Sequence, residues 1–257
     1  MFIFGCGYSA GRLAQALRFA GWAVSGTGRG GDTEFAEEDA VLAALGRASH
    51  VLSSVPPAEN DDPVLSRYGP ALDGRWLGYL SSTGVYGDHQ GAWVDESTAI
   101  GSGRRTARAD ADARWLAAGA RVFRLPGIYG PGRSAFERIA QGRAHRVAMA
   151  DQVFSRIHVD DIVGGIMAAL ASDAPPGAYN LADDVPTHQN AVIEEACRLM
   201  GVEPPPLMAL EDAGLSPMAR AFYAENRRVA NGKAKRALGW RLRYPSYREG
   251  LAACRQT

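Results

Sequence analysis

The chain carries a glycine-spaced turn within its first eleven residues, and the chemistry of such a turn is anion binding. An apolar stretch, Phe2–Phe4, precedes a G-x-G-x-x-A pattern, and an alanine- and leucine-rich helix is predicted after it. The first glycine permits a tight turn, the second lets the backbone approach a diphosphate, and the alanine allows close packing of helix on strand. The helix amides then face the phosphates with a partial charge of roughly +0.5. The pattern predicts a dinucleotide site formed by Gly5, Gly7, Tyr8, Ser9 and Ala10.

The residues that follow the second predicted strand, residues 22–26, favour NADP over NAD. An NAD site places Asp or Glu about 20 residues after the turn, where the acid binds the ribose hydroxyls. This chain has Thr27 and Arg29 at that place, and no acid before Asp32. Arg29 would pair with a 2′-phosphate and Thr27 would donate to it. The alternative is NAD, with Arg29 in solvent and Asp32 on the ribose.

The rest of the chain alternates apolar strands with helices. Strands are predicted at residues 50–57, 76–84, 121–125 and 177–181, and helices at 37–45, 63–72, 105–118, 189–200 and 233–238. This alternation is typical of an α/β fold with a doubly wound parallel sheet, whose ligands lie beyond the carboxyl ends of the strands. We expect a dinucleotide-binding domain over residues 1–129, with its sheet completed by about 156–183. Residues 130–155 and 184–257 would form a small substrate-side lobe.

Length and composition exclude several classes of protein. The 257 residues carry 28 basic and 28 acidic side chains, which argues against a nucleic-acid surface. Three cysteines, Cys6, Cys197 and Cys254, are too scattered for a zinc cluster or a disulfide framework, so no metal site is predicted. The sequence has no leader pattern and no apolar run of membrane length. We therefore expect a cytoplasmic protein without a membrane or nucleic-acid partner.

Three further motifs place polar residues after predicted strands. They are SSTGVYG at 81–87, RLPGIYGPG at 124–132 and RIHVDD at 156–161. With the opening turn, and in this order, they resemble the extended short-chain dehydrogenases/reductases, the NAD-dependent epimerase/dehydratase group. The likeness spans nearly the full chain and fits a shortened, atypical branch. It implies a Rossmann fold, a nicotinamide dinucleotide, a small-molecule substrate and a homodimer paired through the helices at 63–72 and 105–118.

The resemblance also implies roles for single residues. Ser82 falls where family members carry the Ser or Thr that hydrogen-bonds the reacting oxygen of the substrate; the alternative is a residue that caps the strand end. Arg133 and Arg156 match positions where related enzymes hold a substrate phosphate, for which a planar guanidinium is suited. We also expect the cofactor to contact Ser54, Pro56, Ser81 and Pro126. The substrate is expected to contact Thr83 and Tyr129.

The helix after the serine strand departs from the Tyr-x-x-x-Lys pair of the family. Our alignment places Arg104 and Arg108 at these two positions, and no tyrosine lies between Tyr86 and Tyr129. Arginine stays charged, so it stabilises negative charge or holds a phosphate but does not exchange a proton. Loss of a positioned acid–base group costs about 10²–10⁴ in rate.

Two functions remain open from the sequence. One is an NADP-dependent oxidoreductase or epimerase that acts on a small hydroxylated or nucleotide-linked substrate and uses a different proton donor. Tyr86, His89, Asp95 and Glu96 are the donors that the neighbouring sequence offers, although an acid in that loop is usually structural and Tyr86 would point away from the cofactor. The other is an NADP-binding sensor or scaffold without turnover.

Overall fold

The computed structural model describes residues 1–58, 61–102, 106–149 and 151–255. The strands of these residues are β1 (Phe2–Phe4), β2 (Ser25–Gly26), β3 (His50–Ser53), β4 (Trp76–Ser82), β5 (Trp93–Val94), β6 (Arg121–Leu125), β7 (Gly127–Tyr129), β8 (Arg146–Val147), β9 (Arg156–His158), β10 (Gly177–Asn180), β11 (Leu207–Met208) and β12 (Arg228–Val229). Six of them form one parallel sheet in the order β10, β6, β4, β3, β1, β2. The chain passes from β1 to β2 on one side and to β3 on the other, so the strand order reverses at β1.

Helices pack on both faces of this sheet and beside it. They are α1 (Tyr8–Phe19), α2 (Glu38–Gly46), α3 (Pro63–Tyr68), α4 (Thr106–Ala117), α5 (Ala135–Ala140), α6 (Val159–Ala171), α7 (Gln189–Met200), α8 (Pro217–Phe222), α9 (Gly232–Leu238) and α10 (Tyr247–Arg255). Successive side chains of a strand point to opposite faces. Ile3 therefore packs in one core with Leu13 of α1 and Ile166 of α6, whereas Phe2 and Phe4 pack in the other core with α2, α3 and α4. The predicted doubly wound parallel sheet is confirmed.

Two predicted elements differ from the structure for identifiable reasons. The strand expected at residues 22–26 is only Ser25–Gly26, because its partner β1 begins at Phe2 and pairs Phe2 with Ser25. The helix expected at residues 63–72 continues after Tyr68 as a 3₁₀ turn, Gly69–Leu72. Pro70 lies within that turn and has no amide hydrogen for the α-helical pattern.

Smaller elements pack outside the main sheet. Three two-stranded parallel sheets pair β5 with β12, β7 with β9, and β8 with β11. Helices α5, α7 and α10 share a separate apolar core that includes Ala135, Ile193 and Leu251. β11 and β12 lie in the last third of the chain, and their pairings with β8 and β5 attach that part to earlier segments.

A buried polar network joins the sheet to α4. The carboxylate of Asp112 accepts hydrogen bonds from Nη2 and Nε of Arg124 at 2.7 and 3.1 Å and from Oγ of Ser81 at 2.6 Å. Nη1 of Arg124 donates to Oη of Tyr86 at 3.0 Å, and this hydroxyl donates to Asn180 at 2.8 Å. All five side chains are buried. The network therefore fixes α4 against the ends of β4, β6 and β10.

Removal of one partner from this network should destabilise the fold strongly. We expect Asp112→Ala to lower the free energy of unfolding by about 3–5 kcal/mol, because it leaves the buried guanidinium of Arg124 without its carboxylate. Asp110→Ala is the matched control, since Asp110 is exposed on the same helix; its effect should stay within about 0.5 kcal/mol. Urea-induced unfolding followed by circular dichroism measures both, and equal losses would contradict the assignment.

Candidate functional site

A cavity of about 830 Å³ opens beyond the carboxyl ends of the central strands. Its wall on the sheet side is formed by the residues that directly follow β1, β3, β4 and β6, namely Gly7, Tyr8, Ser9, Ala10, Ser54, Pro56, Thr83, Gly84, Pro126 and Gly127, together with Ser81 and Ser82 at the end of β4. Parallel strands bring these segments to one edge of the sheet. The tertiary structure thus gathers most of the residues that the sequence assigned to a cofactor.

The left-handed backbone conformation of Gly5 allows the hydrogen bonds that hold the glycine turn. Gly5 has φ +84°, a left-handed conformation that favours glycine, and its carbonyl accepts from the amide of Gly7 at 2.6 Å and from Oγ of Ser54 at 2.5 Å. Helix α1 begins at Tyr8, and its first turn contains no acidic residue. The first amides of a helix have no partner within it, so this turn presents donors and a positive dipole end to the cavity.

The segment after β2 does not reach the cavity wall. Thr27 is buried, and its Oγ1 accepts from the amide of Gly5 at 3.1 Å, so this hydroxyl supports the glycine turn from behind. The carboxylate of Asp32 accepts from the amide of Gly26 at 2.9 Å. Arg29 is exposed and lies outside the cavity lining. Of the predicted 2′-phosphate residues, only Arg29 keeps a side chain that is accessible to a ligand.

The serine strand presents one hydroxyl to the cavity and turns another away. Oγ of Ser82 accepts from the amide of Gly84 at 3.1 Å, which leaves its own proton available for donation. Ser81 donates to Asp112 instead. On the neighbouring helix Arg108 lines the same cavity, whereas Arg104 lies outside the described residues.

The opposite wall carries guanidinium groups without carboxylate partners. Arg156 is 7% exposed, and its terminal nitrogens donate to the carbonyls of Phe154 and Thr187 at 2.8 and 3.0 Å and to Oε1 of Gln189 at 3.0 Å. Burial lowers the pKa of Arg156 to about 10. Within the described parts of the chain, Arg156, Arg133 and Arg138 form no ion pair. A buried cation that bonds only neutral acceptors is costly, so this wall is suited to an anion.

Two cavity tyrosines are committed to backbone carbonyls. Oη of Tyr8 donates to Pro131 at 3.0 Å, and burial raises the pKa of this hydroxyl to about 12. Oη of Tyr129 donates to Ser246 at 3.4 Å, and burial raises its pKa as well. The ring of Tyr129 packs against Gly250 of α10, where a Cβ atom would lie 1.9 Å from the hydroxyl oxygen. Both tyrosines therefore hold the segment after β6 in place.

Sequence reasoning missed several residues of the cavity. Arg138, His145 and Tyr223 line it, and Nε2 of His145 lies 3.1 Å from Oη of Tyr223. These residues stand in α5 and in loops far apart along the chain, and none belongs to a spaced motif. Tyr86 and Glu96, which the sequence offered as donors, instead bond to Asn180 in the interior. His89 bonds to the carbonyl of Tyr86, and the carboxylate of Asp95 bonds to Ser97.

Several solved structures and curated proteins are similar to this chain. No protein-family model matches it. A conserved protein of unknown function from Silicibacter pomeroyi DSS is 41% identical, with a TM-score of 0.88 over 99% of this chain and 97% of the other. The human epimerase family protein SDR39U1 with NADPH has a TM-score of 0.78 at 16% identity, with full coverage of both chains. A Streptomyces 3-diazoavenalumate denitrifying reductase is 31% identical over 141 residues, 51% of this chain and 45% of the relative.

The chain shares its fold with solved proteins of the NAD-dependent epimerase/dehydratase and extended short-chain dehydrogenase/reductase group, so the resemblance inferred from the motifs is confirmed at the level of the fold. It belongs to the same family as the Silicibacter pomeroyi protein. The chain spans about half the length of the curated relatives it matches. Among the described helices, none is both long and apolar enough to cross a membrane. Within the same residues, no cluster of His, Cys, Asp or Glu is arranged to hold a metal ion.

A second buried group near Arg156 makes stability depend on pH. Asp183 is 2% exposed, its Oδ1 accepts from the amide of Val185 at 3.3 Å, and its Oδ2 has no hydrogen-bond partner among the residues that the structure describes. Burial raises the pKa of Asp183 from 3.8 to about 7, and the charge of Arg156 opposes this shift. The folded protein therefore holds a proton on Asp183 over a range of pH in which the unfolded chain has released it.

Asp183→Asn should remove this pH dependence. Below about pH 4 both states of the wild type are protonated, and stability carries no penalty. As pH rises from about 4 to 7 the unfolded state releases the proton first, so the wild type loses stability relative to the variant, by about 4 kcal/mol in total. Urea unfolding of both proteins from pH 4 to 8 measures the difference. Parallel stability curves would contradict the assignment.

Proposed function

We propose that the protein is an NADP-dependent oxidoreductase or epimerase that acts on a small, acidic, hydroxylated or nucleotide-linked substrate. One observation carries the proposal: the glycine turn of α1, the hydroxyl of Ser82 and three guanidinium groups that form no ion pair within the described residues all face a single cavity. A dinucleotide and an acidic substrate would meet in this space. The names of two similar proteins, a Streptomyces reductase and a human epimerase family protein with NADPH, support this reading.

The cofactor would bind with its diphosphate on the first turn of α1. Around Gly7 the space for a ligand is open, because a Cβ atom there would find its nearest neighbour 3.9 Å away. Gly5 shapes the turn, the amides of Tyr8, Ser9 and Ala10 would donate to the phosphates, and Ser54, Pro56 and Pro126 would line the walls beside it. When bound, the dinucleotide supplies a hydride donor or acceptor.

The acidic part of the substrate would bind at Arg156. A guanidinium that is buried among neutral acceptors gains more from an anion than an exposed one does, since less water competes for it. Arg133 and Arg138 would add charge, and Thr83 and Tyr129 would line the same space. In this arrangement the lobe of residues 130–155 and 184–257 contributes Arg133 and Arg138, while residues 1–129, with about 156–183, bind the cofactor and carry Arg156.

Ser82 would hold the reacting oxygen of the substrate by donating its free hydroxyl proton. Arg108 would stabilise negative charge on that oxygen, because a guanidinium remains protonated at neutral pH. The alignment predicts that Arg104 also stabilises this negative charge, but Arg104 lies outside the described residues. Neither arginine supplies a proton, so the proposed reaction needs another donor.

A second function, NADP binding without turnover, is favoured by one observation. The sequence has arginines where our alignment expects Tyr and Lys, and lysine occurs only at Lys233 and Lys235. The two functions predict the same affinity for NADPH but different chemistry. Calorimetry with nucleotide-free protein and NADPH, NADP⁺, NADH and NAD⁺ tests the shared part. Transfer of deuterium from C4-deuterated NADPH to acidic carbonyl compounds tests turnover, and its absence from a protein that binds NADPH would select the second function.

Arg29→Glu tests the choice of dinucleotide. We expect this change to weaken NADPH binding by about 10- to 100-fold, because it replaces a charge-assisted partner of the 2′-phosphate with a like charge. NADH affinity should stay the same, since NADH has no 2′-phosphate. Arg47→Glu, at an exposed position after α2, is the control for total charge. Calorimetry gives the affinities of the wild type and both variants for NADPH and NADH. If Arg29→Glu keeps the wild-type preference between the two dinucleotides, the ribose contact belongs to Asp32.

A further inference from the structure

Two side chains that no motif indicated form a hydrogen-bonded pair on the cavity wall. His145 directly precedes β8, and Tyr223 directly follows α8. Both line the cavity that also contains Ser82, and Nε2 of the imidazole lies 3.1 Å from the phenolic Oη. Such a pair of protic groups is within the distance at which a proton passes directly from one to the other.

The surroundings of Tyr223 fix its ring and add positive charge. Phe154 packs edge-on against the ring, with centroids 5.5 Å apart and an interplanar angle of 89°. Burial raises the pKa of Tyr223, and the guanidinium groups of Arg138 and Arg156 act in the opposite direction. The charge that a lysine gives to the tyrosine of a Tyr-x-x-x-Lys pair is thus provided here by two arginines.

His145 is arranged to accept a proton. Burial lowers the pKa of its imidazole, a hydrogen bond to the backbone of Arg143 raises it, and the charge of Arg138 lowers it further. The net shift is downward from 6.5, so the ring is neutral at pH 7. Nε2 faces the hydroxyl of Tyr223 at 3.1 Å, and we assign it as the proton acceptor, which places the proton of the neutral ring on Nδ1.

We propose that Tyr223 and His145 form the proton relay of this site and replace the missing Tyr-x-x-x-Lys pair. The inference rests on the proposed function. In the oxidative direction the substrate hydroxyl gives its proton to Oη of Tyr223, while Tyr223 passes its own proton to Nε2 of His145. The hydride leaves the same carbon for the oxidised nicotinamide dinucleotide, so the carbon loses two electrons and the cofactor gains them. The reductive direction runs through the same atoms in reverse.

Other cavity tyrosines are less suited to this task. The hydroxyl protons of Tyr8 and Tyr129 are directed to the carbonyls of Pro131 and Ser246. Neither of these carbonyls can take up a proton, whereas the imidazole of His145 can. The Tyr223–His145 pair is comparable to a nucleophilic serine beside a histidine, in which the imidazole accepts the proton of the hydroxyl and makes the hydroxyl reactive.

The test compares conservative variants at four positions. Tyr223→Phe and His145→Gln should each lower kcat by about 10²–10⁴-fold with little change in KM or in NADPH affinity, because they remove proton transfer and leave the binding wall intact. Tyr244→Phe is the matched control at a tyrosine outside the cavity lining, and Asp173→Asn is a surface control. Oxidation by the wild type should slow as pH falls through the pKa of His145, since the protonated imidazole accepts no proton; this acid limb should disappear in His145→Gln.

A second readout does not depend on turnover. In the cofactor-free protein, ¹⁵N NMR of the imidazole should report a neutral His145 at pH 7 with the proton on Nδ1. Tyr223→Phe should shift the Nε2 resonance and change the titration of this histidine, while Tyr244→Phe, outside the cavity lining, should leave both as they are. A ring protonated on Nε2 alone would overturn the assigned direction of the relay.

The possible outcomes separate the relay from the proposed function. If the wild type binds NADPH and turns over, and Tyr223→Phe keeps its kcat and pH profile, the relay is wrong and the proposed function stands. Binding without turnover also rejects the relay, and it selects the non-catalytic function. A wild type that binds no dinucleotide rejects both.

Discussion

The buried ion pair of Arg124 and Asp112 is the interaction on which the arrangement of this site depends. It joins β6 to α4, and Ser81 extends it to β4. These three elements contribute Pro126, Arg108 and Ser82 to the cavity wall, so their relative positions follow from one network. A buried pair of this kind adds little net stability compared with apolar packing, but it requires one register of its partners, because any other leaves a charge unpaired. We infer that its value to this protein is positional.

The two halves of the cavity are built by different physical means. The sheet side consists of backbone and small side chains at strand ends, where the parallel ladder fixes their spacing and a helix dipole faces the ligand. The opposite wall consists of long side chains on loops, short helices and the short strand β9, and it carries positive charge with few local counter-charges. The whole chain has equal numbers of basic and acidic residues, so this imbalance is a property of the site alone.

The proposed relay would supply acid–base groups to a site whose sequence has no Tyr-x-x-x-Lys pair at the aligned positions. A proton relay requires a hydroxyl, a base beside it and a positive charge that stabilises the ionised form. A Tyr-x-x-x-Lys pair takes the hydroxyl and the positive charge from one helix. Here the hydroxyl, the imidazole and the guanidinium groups of Tyr223, His145, Arg138 and Arg156 come from separate segments that share only the cavity. A search for a spaced motif has no means of finding such a set.

The amino-acid sequence by itself determined the parts of this protein that are local in the chain. The glycine turn, the alternation of strands and helices and the serine at the end of β4 follow from spacing and periodicity, since each is specified within about ten residues. The tertiary structure alone decided which side chains face a ligand: it directed Ser81 toward Asp112 and Thr27 behind the glycine turn, and it brought His145 to Tyr223. Those outcomes depend on packing between segments up to 78 residues apart. The burial of a side chain and its distance to a partner set its protonation state. Both are defined only after these distant segments have packed together.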